Sequence, residues 1–300
     1  MSSASGTLVL IDGVLRSAEE ATVSVFDRGF LYGDAVFETM RTYGGRPFAL
    51  DEHLERLERS AERVLIRMPV SRAVLEAEIE RGLREGGYAE SVVRVVITRG
   101  QAASLGLDPA RALTPLRLVI VAPLSPLPVE KYERGIRVIT HRTQRVADGT
   151  EAAGAKITNY LVSVLAMDAA ARRSAEEALL VDAEGRVLEG TTSNVFGVLG
   201  SELVTPPEHL GILAGITRAH VLTLARELGI PTHVRPIHES ELARFDELFI
   251  SSSIREIVPV VSVNETSVGT GRPGAVTQRL LTAFRAAARR AVGLETGSPL

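Results

Sequence analysis

An α+β or mixed α/β chain of two domains is the class this sequence predicts, and three observations carry that expectation. Short alternating segments joined by hairpin signals fill the first third, with Asp12-Gly13 and Gly44-Gly45 as turns. Amphipathic helical stretches lie among them, without the strand–helix–strand rhythm of a doubly wound sheet. The segment Pro123-Leu-Ser-Pro-Leu-Pro128 continues neither element and reads as an extended linker. The chain's 300 residues suffice for two domains and a large core.

In chain order, residues 7–11 alternate as a strand, and 23–26 and 35–43 read likewise, the latter turning at Gly44-Gly45 into 47–50. Asp51 is placed to cap a helix whose Leu54, Leu57, Ala61, Val64 and Leu65 share one face. A second helix over 72–85 stops at Gly86-Gly87, and 92–98 and 116–122 return to strand. Beyond the linker, strands are expected at 136–141, 178–181, 195–199, 202–204, 232–235, 246–250 and 259–263. Helices are expected after Lys156, over 215–228 and over 275–291, and only the last few residues read as disordered. No internal repeat is visible.

Hydrophobic content of 45%, charged content of 24% and a net charge of −3 suit a soluble enzyme or binding protein. No basic run suggests nucleic acid, and no apolar run approaches a membrane span. The opening Met-Ser-Ser-Ala-Ser-Gly lacks the features of a secretory signal, so the default expectation is a cytoplasmic protein acting on small molecules. The absence of cysteine excludes disulfides, thiol nucleophiles and cysteine-ligated metal, and no metal site is expected.

Only two lysines, Lys131 and Lys156, stand among 34 basic residues. Where arginine serves every ordinary positive charge, a retained lysine invites a chemical reason, because only lysine can lose its proton and attack a carbonyl. Lys131, in a polar proline-flanked stretch, reads as a solvated loop charge. Lys156, in Ala152-Ala-Gly-Ala-Lys-Ile-Thr-Asn-Tyr160, sits among small residues before an apolar helix, where desolvation would favour its neutral amine. Glu189, at a strand end in Val187-Leu-Glu-Gly-Thr-Thr-Ser-Asn-Val-Phe196, is either a solvated turn charge or the partner of a protonated ring nitrogen. Gly211-Ile-Leu-Ala-Gly-Ile-Thr-Arg218 opens a helix whose free amides and Thr217 hydroxyl suit a phosphate, although a plain helix cap has the same look. Ser251-Ser-Ser-Ile-Arg-Glu256 offers hydroxyls and amides, and Arg56 is either solvated or within reach of a phosphate. Together these describe an aldehyde cofactor with a phosphate tail.

Six motifs stand in one order: Asp27-Arg-Gly-Phe-Leu-Tyr-Gly-Asp-Ala-Val-Phe-Glu-Thr-Met-Arg41, His53-Leu-Glu-Arg-Leu57, Lys156-x-x-Asn159, Glu189-Gly-x-x-x-Asn-Val-Phe196, Gly215-Ile-Thr-Arg218 and Glu256-Ile-Val-Pro-Val260. In that order, over nearly the whole chain, they resemble the class IV aminotransferases, the fold-type IV pyridoxal-phosphate enzymes. The resemblance implies an α+β fold of two domains, a small α+β domain over 1–122 and a larger pseudo-barrel domain over 131–300 that binds cofactor, joined by a linker at 123–130. It implies pyridoxal 5'-phosphate as cofactor, held between the domains, and a homodimer or higher homo-oligomer whose partner completes the pocket. Lys156 would bind the cofactor aldehyde, Glu189 would pair with the ring nitrogen, and Leu213 would pack on the ring. Arg56, Ile216, Thr217 and Ser253 would hold the phosphate, and Tyr160 would approach the phenolic oxygen.

Within that family, Val92-Val-Arg-Val-Val-Ile-Thr-Arg-Gly-Gln-Ala-Ala-Ser-Leu-Gly-Leu-Asp-Pro109 most resembles branched-chain enzymes. The resemblance implies that Arg94 contacts acidic substrate, that the Leu-Gly-Leu turn lines the partner's pocket, and that Tyr32, Phe37, Thr39 and Ile254 face substrate. Two positions depart from the pattern. Val92 stands where a tyrosine is usual, and Phe37-Glu-Thr39 replaces Phe-Glu-Gly, a threonine there being familiar from aminodeoxychorismate lyases. The Pro-Arg-x-His clamp of D-amino-acid aminotransferases is absent after Gly100, so a D-specific enzyme would need Arg28 or Arg94 as its anion site. The expected activity is transamination between a small amino acid, first a branched-chain L-amino acid, and 2-oxoglutarate. Pyruvate release from aminodeoxychorismate comes second and D-amino-acid transamination third.

Overall fold

The structure, a computed structural model, describes residues 6–102, 104–143 and 154–295. The expectation of disorder at the last residues falls outside them. The chain forms two compact units. One comprises the chain up to Ser125, the segment Ala155–Asn159 and the stretch from Arg289, and the rest from Pro126 forms the other.

In the first unit, β1 (Leu8–Ile11) and β2 (Val14–Ser17) form the hairpin that Asp12-Gly13 signals. Then come α1 (Arg28–Tyr32), β3 (Ala35–Tyr43), β4 (Arg46–Pro47), α2 (Leu50–Arg63), α3 (Arg72–Gly86), β5 (Ser91–Thr98) and β6 (Leu116–Pro123). The strands make one antiparallel sheet in the order β2-β1-β6-β5-β3-β4. Because strand side chains alternate, Val93, Val95 and Ile97 of β5 point into the core while Val92, Arg94 and Val96 point away. On that inner face, Leu54, Leu57 and Ala61 of α2 and Leu75 and Ile79 of α3 pack against Val36, Met40, Val119 and Val121. Burying one such side chain contributes about 1.5–3 kcal/mol, so this helix-on-sheet layer dominates the unit's stability.

Three local expectations need correction. Residues 23–26 are not a strand: Val23, Val25 and Phe26 are exposed, and no ladder receives the alternation. Asp51 does not cap α2; the cap is Ala49, in the left-handed region at φ 55, and Asp51 sits in the first turn, where its charge suits the helix dipole. The return strand after Gly44-Gly45 stops at Pro47, which has no N–H to extend a ladder.

The second unit contains α4 (Val129–Arg134), β7 (Ile136–Arg142), α5 (Leu161–Arg172), β8 (Glu177–Val181), β9 (Arg186–Gly190), β10 (Asn194–Leu199) and β11 (Glu202–Thr205). It continues with α6 (Ile216–Glu227), β12 (Thr232–Val234), β13 (Ile237–His238), β14 (Glu247–Ser252), β15 (Glu256–Val263), β16 (Thr266–Ser267) and α7 (Ala275–Ala291), whose last turn belongs to the first unit. Its sheet runs β12-β11-β10-β14-β15-β7-β8-β9-β13, with β16 on β15. The β7–β8, β7–β15 and β11–β12 pairs are parallel. Stacked Phe196 and Phe249, 4.8 Å apart, join β10 to β14 inside it. Lys131 is not a loop charge: proline is compatible with a helix start, and Pro128 caps α4, which carries the lysine amine to Glu176. No helix among the described residues is long and apolar enough to cross a membrane.

Candidate active site

Lys156 lies in the segment that returns to the first unit, along the edge of β3 opposite β5. Phe37 N donates to Lys156 O at 3.0 Å, Thr158 N donates to Ala35 O at 3.1 Å, and Lys156 N donates to Ser60 Oγ on α2 at 3.1 Å. The lysine backbone is therefore fixed on both sides while its side chain remains half-buried. Its Nζ lies 4.6 Å from the centre of the Phe37 ring, and the Arg94 guanidinium carbon lies 3.9 Å from that same centre. The buried Phe37 ring thus contacts both basic side chains.

Arg56 is not a solvated surface arginine. It is 5% exposed, and its Nε and Nη2 both donate at 2.7 Å to Glu38, a fully buried carboxylate on β3. His53 Nδ1 closes the group at 2.7 Å from Glu38 Oε2. Burial by itself would raise the Glu38 carboxyl, yet the hydrogen bonds and charge of Arg56, aided by His53, hold it at about 2. Burial is also the largest cause that lowers His53 below the usual imidazole value, so the neutral ring donates to the carboxylate. Glu38 fixes the fork of Arg56 in one orientation.

The remaining candidates of the first unit divide into two groups. Thr39 faces Arg94 directly across the β3–β5 pair, and its buried Oγ1 has no hydrogen-bond partner among the described residues. Arg28 is committed elsewhere: Nε donates to Asp34 Oδ2 at 2.8 Å, and Nη1 and Nη2 donate to Gly106 O and Leu107 O. Tyr32 Oη accepts from Gly106 N at 3.0 Å. Both residues thus clamp the backbone of the Leu105-Gly106-Leu107 turn, whose leucines stay exposed.

In the second unit, Glu189 is not a solvated turn charge: it is 7% exposed at the end of β9, and its Oε2 accepts from Leu213 N at 3.0 Å. Leu213 O in turn accepts from Asn194 Nδ2 at 3.0 Å. Two residues on, α6 begins at Gly215 with no side-chain cap, and a Cβ at Gly215 would lie 1.9 Å from Asn194 Oδ1. The amides of Ile216 and Thr217 therefore open a helix that no side chain closes, with the Thr217 hydroxyl in its first turn. Ser251 pairs with Asn194 across β10 and β14, which brings Ser253 and Ile254 to the same end of the sheet. Tyr160 stands at the N-cap of α5. A buried carboxylate beside an uncapped helix start is a donor and acceptor set that fits a phosphorylated, nitrogen-containing ring.

The chain is similar over most of its length to known proteins. The profile of amino-transferase class IV matches residues 35–263. A Methanocaldococcus jannaschii protein, which carries the branched-chain-amino-acid aminotransferase name provisionally, is 38% identical over 277 residues, covering 92% of this chain and 95% of its own. The D-alanine aminotransferase of Bacillus licheniformis is 33% identical, with coverages of 92% and 95%. The crystal structure of the Escherichia coli branched-chain amino acid aminotransferase superposes with a TM-score of 0.89 at 31% identity, covering 97% of each chain. The T.th. branched-chain amino acid aminotransferase, complexed with N-(5'-phosphopyridoxyl)-L-glutamate, gives 0.88 at 30% identity, covering 95% and 94%. The chain belongs to the class IV aminotransferases and has their fold-type IV, α+β architecture.

Glu38, His53 and Asn194 lie within the motifs, but their roles emerge only from the folded chain. A signal for Glu38 was present: it shares strand parity with Val36 and Met40, and a carboxylate on a core-facing row calls for a buried cation.

Proposed function

We propose that this enzyme transfers amino groups between branched-chain L-amino acids and 2-oxoglutarate. The observation that carries the reading is Lys156, held through its own backbone against β3 and α2 with its amine against the Phe37 ring, which Arg94 also contacts. Pyridoxal 5'-phosphate, the cofactor of the family, supplies when bound an aldehyde to carry the amino group and a ring to withdraw electrons. With the cofactor in place, Lys156 Nζ would be the amine that holds its aldehyde carbon, and once freed by the substrate amine it would serve as the general base at the substrate Cα. Glu189 would keep a proton on the ring nitrogen. Arg56, the amides of Ile216 and Thr217, the Thr217 hydroxyl and Ser253 would hold the phosphate, Leu213 would pack on the ring, and Tyr160 would approach the phenolic oxygen. Tyr32, Phe37, Thr39 and Ile254 face substrate, and Arg94 receives the distal carboxylate of glutamate and 2-oxoglutarate. A relative's complex with the phosphopyridoxyl adduct of L-glutamate supports that amino-acid partner. The exposed apolar side chains Leu161, Val164 and Leu165 on α5 support a homodimer.

One observation favours a second reading. The buried Thr39 hydroxyl, unpartnered among the described residues, suits a lyase that releases pyruvate from aminodeoxychorismate. D-amino-acid transamination stands third; Arg28 is already spent on Asp34 and the 106–107 backbone, leaving Arg94 as its anion site.

The test is a panel of L- and D-amino acids and aminodeoxychorismate, scored by the first half-reaction, with borohydride trapping of cofactor on the protein. Rapid reaction with L-leucine and L-glutamate and label on Lys156 are expected. Label on Lys131, or pyruvate release with inertness toward every amino acid, would overturn the assignment.

A further inference from the structure

One buried carboxylate in the second unit has no part in the chemistry above. Glu177, at the first position of β8, is 0% exposed and accepts from five donors. Its Oε1 takes Ala178 N at 3.0 Å, Thr191 N at 3.1 Å and the Thr191 hydroxyl. Its Oε2 takes Ser193 Oγ at 3.3 Å and Arg255 Nη2 at 2.5 Å. Thr191 and Ser193 belong to the tight turn that directly follows Glu189 and Gly190. A Cβ at Gly190 would fall 2.2 Å from Ser193 Oγ, so a side chain there would displace that hydroxyl. Arg255 directly follows Ser253 and Ile254, and its Nη2 also reaches Thr192 Oγ1 at 3.1 Å. Backbone ties add to this hold on the Ser253 loop: Arg255 N donates to Ser252 Oγ at 3.2 Å, and Tyr132 Oη donates to Arg255 O at 3.1 Å. The loop closes through Glu256, a non-glycine residue at φ 60 whose carboxylate accepts from Arg285 Nε at 2.7 Å. Left-handed backbone at such a residue persists only where its surroundings fix it.

We propose that Glu177 is a positioning residue that ties the turn after Glu189 to the loop bearing Ser253, so that one buried anion sets the ring-nitrogen partner and a phosphate ligand together. The inference rests on the cofactor roles proposed for Glu189 and Ser253. A carboxylate is needed because neutral acceptors cannot satisfy a guanidinium and four further donors at once. Glu177→Gln retains one carbonyl oxygen for the Thr191 amide but loses the charge that holds Arg255. The phosphate side of the site should then loosen more than the ring-nitrogen side.

The experiment compares wild type, Glu177→Gln, Arg255→Met and the double variant that combines them, each as purified holoenzyme and as apoenzyme. Cofactor dissociation constants, thermal protection of the apoenzyme by inorganic phosphate, and apoenzyme melting temperature are measured. Both variants should bind cofactor about ten- to a hundredfold more weakly, the range for losing a charge-assisted hydrogen bond. Both should lose phosphate protection, and the double variant should be no weaker than the weaker single, since the two act through one contact. Borohydride label should stay on Lys156. A lower apoenzyme melting temperature with unchanged cofactor affinity and phosphate protection would reduce Glu177 to a fold residue and overturn the proposal. Should Glu177→Gln fail to fold, Arg255→Met, at a partly exposed position, decides it by the same two binding measurements. If wild type itself takes no label on Lys156, the cofactor reading falls instead.

Discussion

Glu38 shows how one residue combines stability with site geometry. Its carboxyl is held at about 2, from an ordinary 4.5, so its contribution is complete above pH 4.5 and is lost as pH falls toward 2. The difference corresponds to about 3 kcal/mol. His53 acts in the same direction at milder pH: lowered from 6.5, it contributes fully above that value and loses its contribution as acid protonates the unfolded ring. Glu38→Gln should destabilise the protein at pH 7 by about 3–5 kcal/mol, because Arg56 is left buried without its anion. Denaturant unfolding of the variant should also depend less on pH than wild type between 4.5 and 2. An undiminished slope would place the acid-labile group elsewhere. Arg94 permits a separate test of specificity. Arg94→Met should raise KM for glutamate and 2-oxoglutarate about ten- to a hundredfold while leaving leucine nearly unchanged. Equal losses for all three would make Arg94 a support for Phe37, over whose ring it lies.

Among the elements, the start of α6 makes the sharpest demand on residue type. Gly215 has an ordinary φ of −69, so backbone freedom is not the reason for glycine there; space against Asn194 is. Gly215→Ala should push Asn194 off Leu213 O and weaken cofactor binding at least tenfold, while costing about 1–3 kcal/mol in stability. Equilibrium dialysis of the cofactor checks the first figure, and wild-type affinity would remove α6 from the phosphate site. Three elements legible in sequence share a physical property: α2, α3 and β5 each bury one face at a fixed period, and that periodicity is local. Residues 23–26 had the same periodicity but no neighbouring strand to receive it, which no local pattern reports. The site was legible in the same uneven way. Lys156 stood out by its scarcity and Glu189 by its small-residue turn. The Glu38–Arg56 and Glu177–Arg255 pairs, 18 and 78 residues apart in sequence, required the folded chain.

For the whole molecule, the stretch from Arg289 is a structural part of the first unit. Arg46 Nη1 donates to Val292 O at 2.7 Å, and Leu294 packs against Gly44. Deleting the chain from Val292 should therefore lower the melting temperature by a few degrees, in line with about 1 kcal/mol for a 150–250-residue cooperative unit. Lys156 labelling by borohydride should remain. A melting temperature equal to that of the intact chain would mean that this stretch contributes nothing to the unit it joins.

The peptide Ala155–Asn159 has a consequence for how the protein is made. A ribosome releases the six strands of the first unit early, but β3 keeps an edge open until this peptide emerges. Open edges invite pairing with other chains, and for a nascent polypeptide that interval is the dangerous one. The residue that ends the interval is Lys156 itself, whose carbonyl takes the Phe37 amide. Sealing the strand and delivering the reactive amine are one event in the life of the new chain.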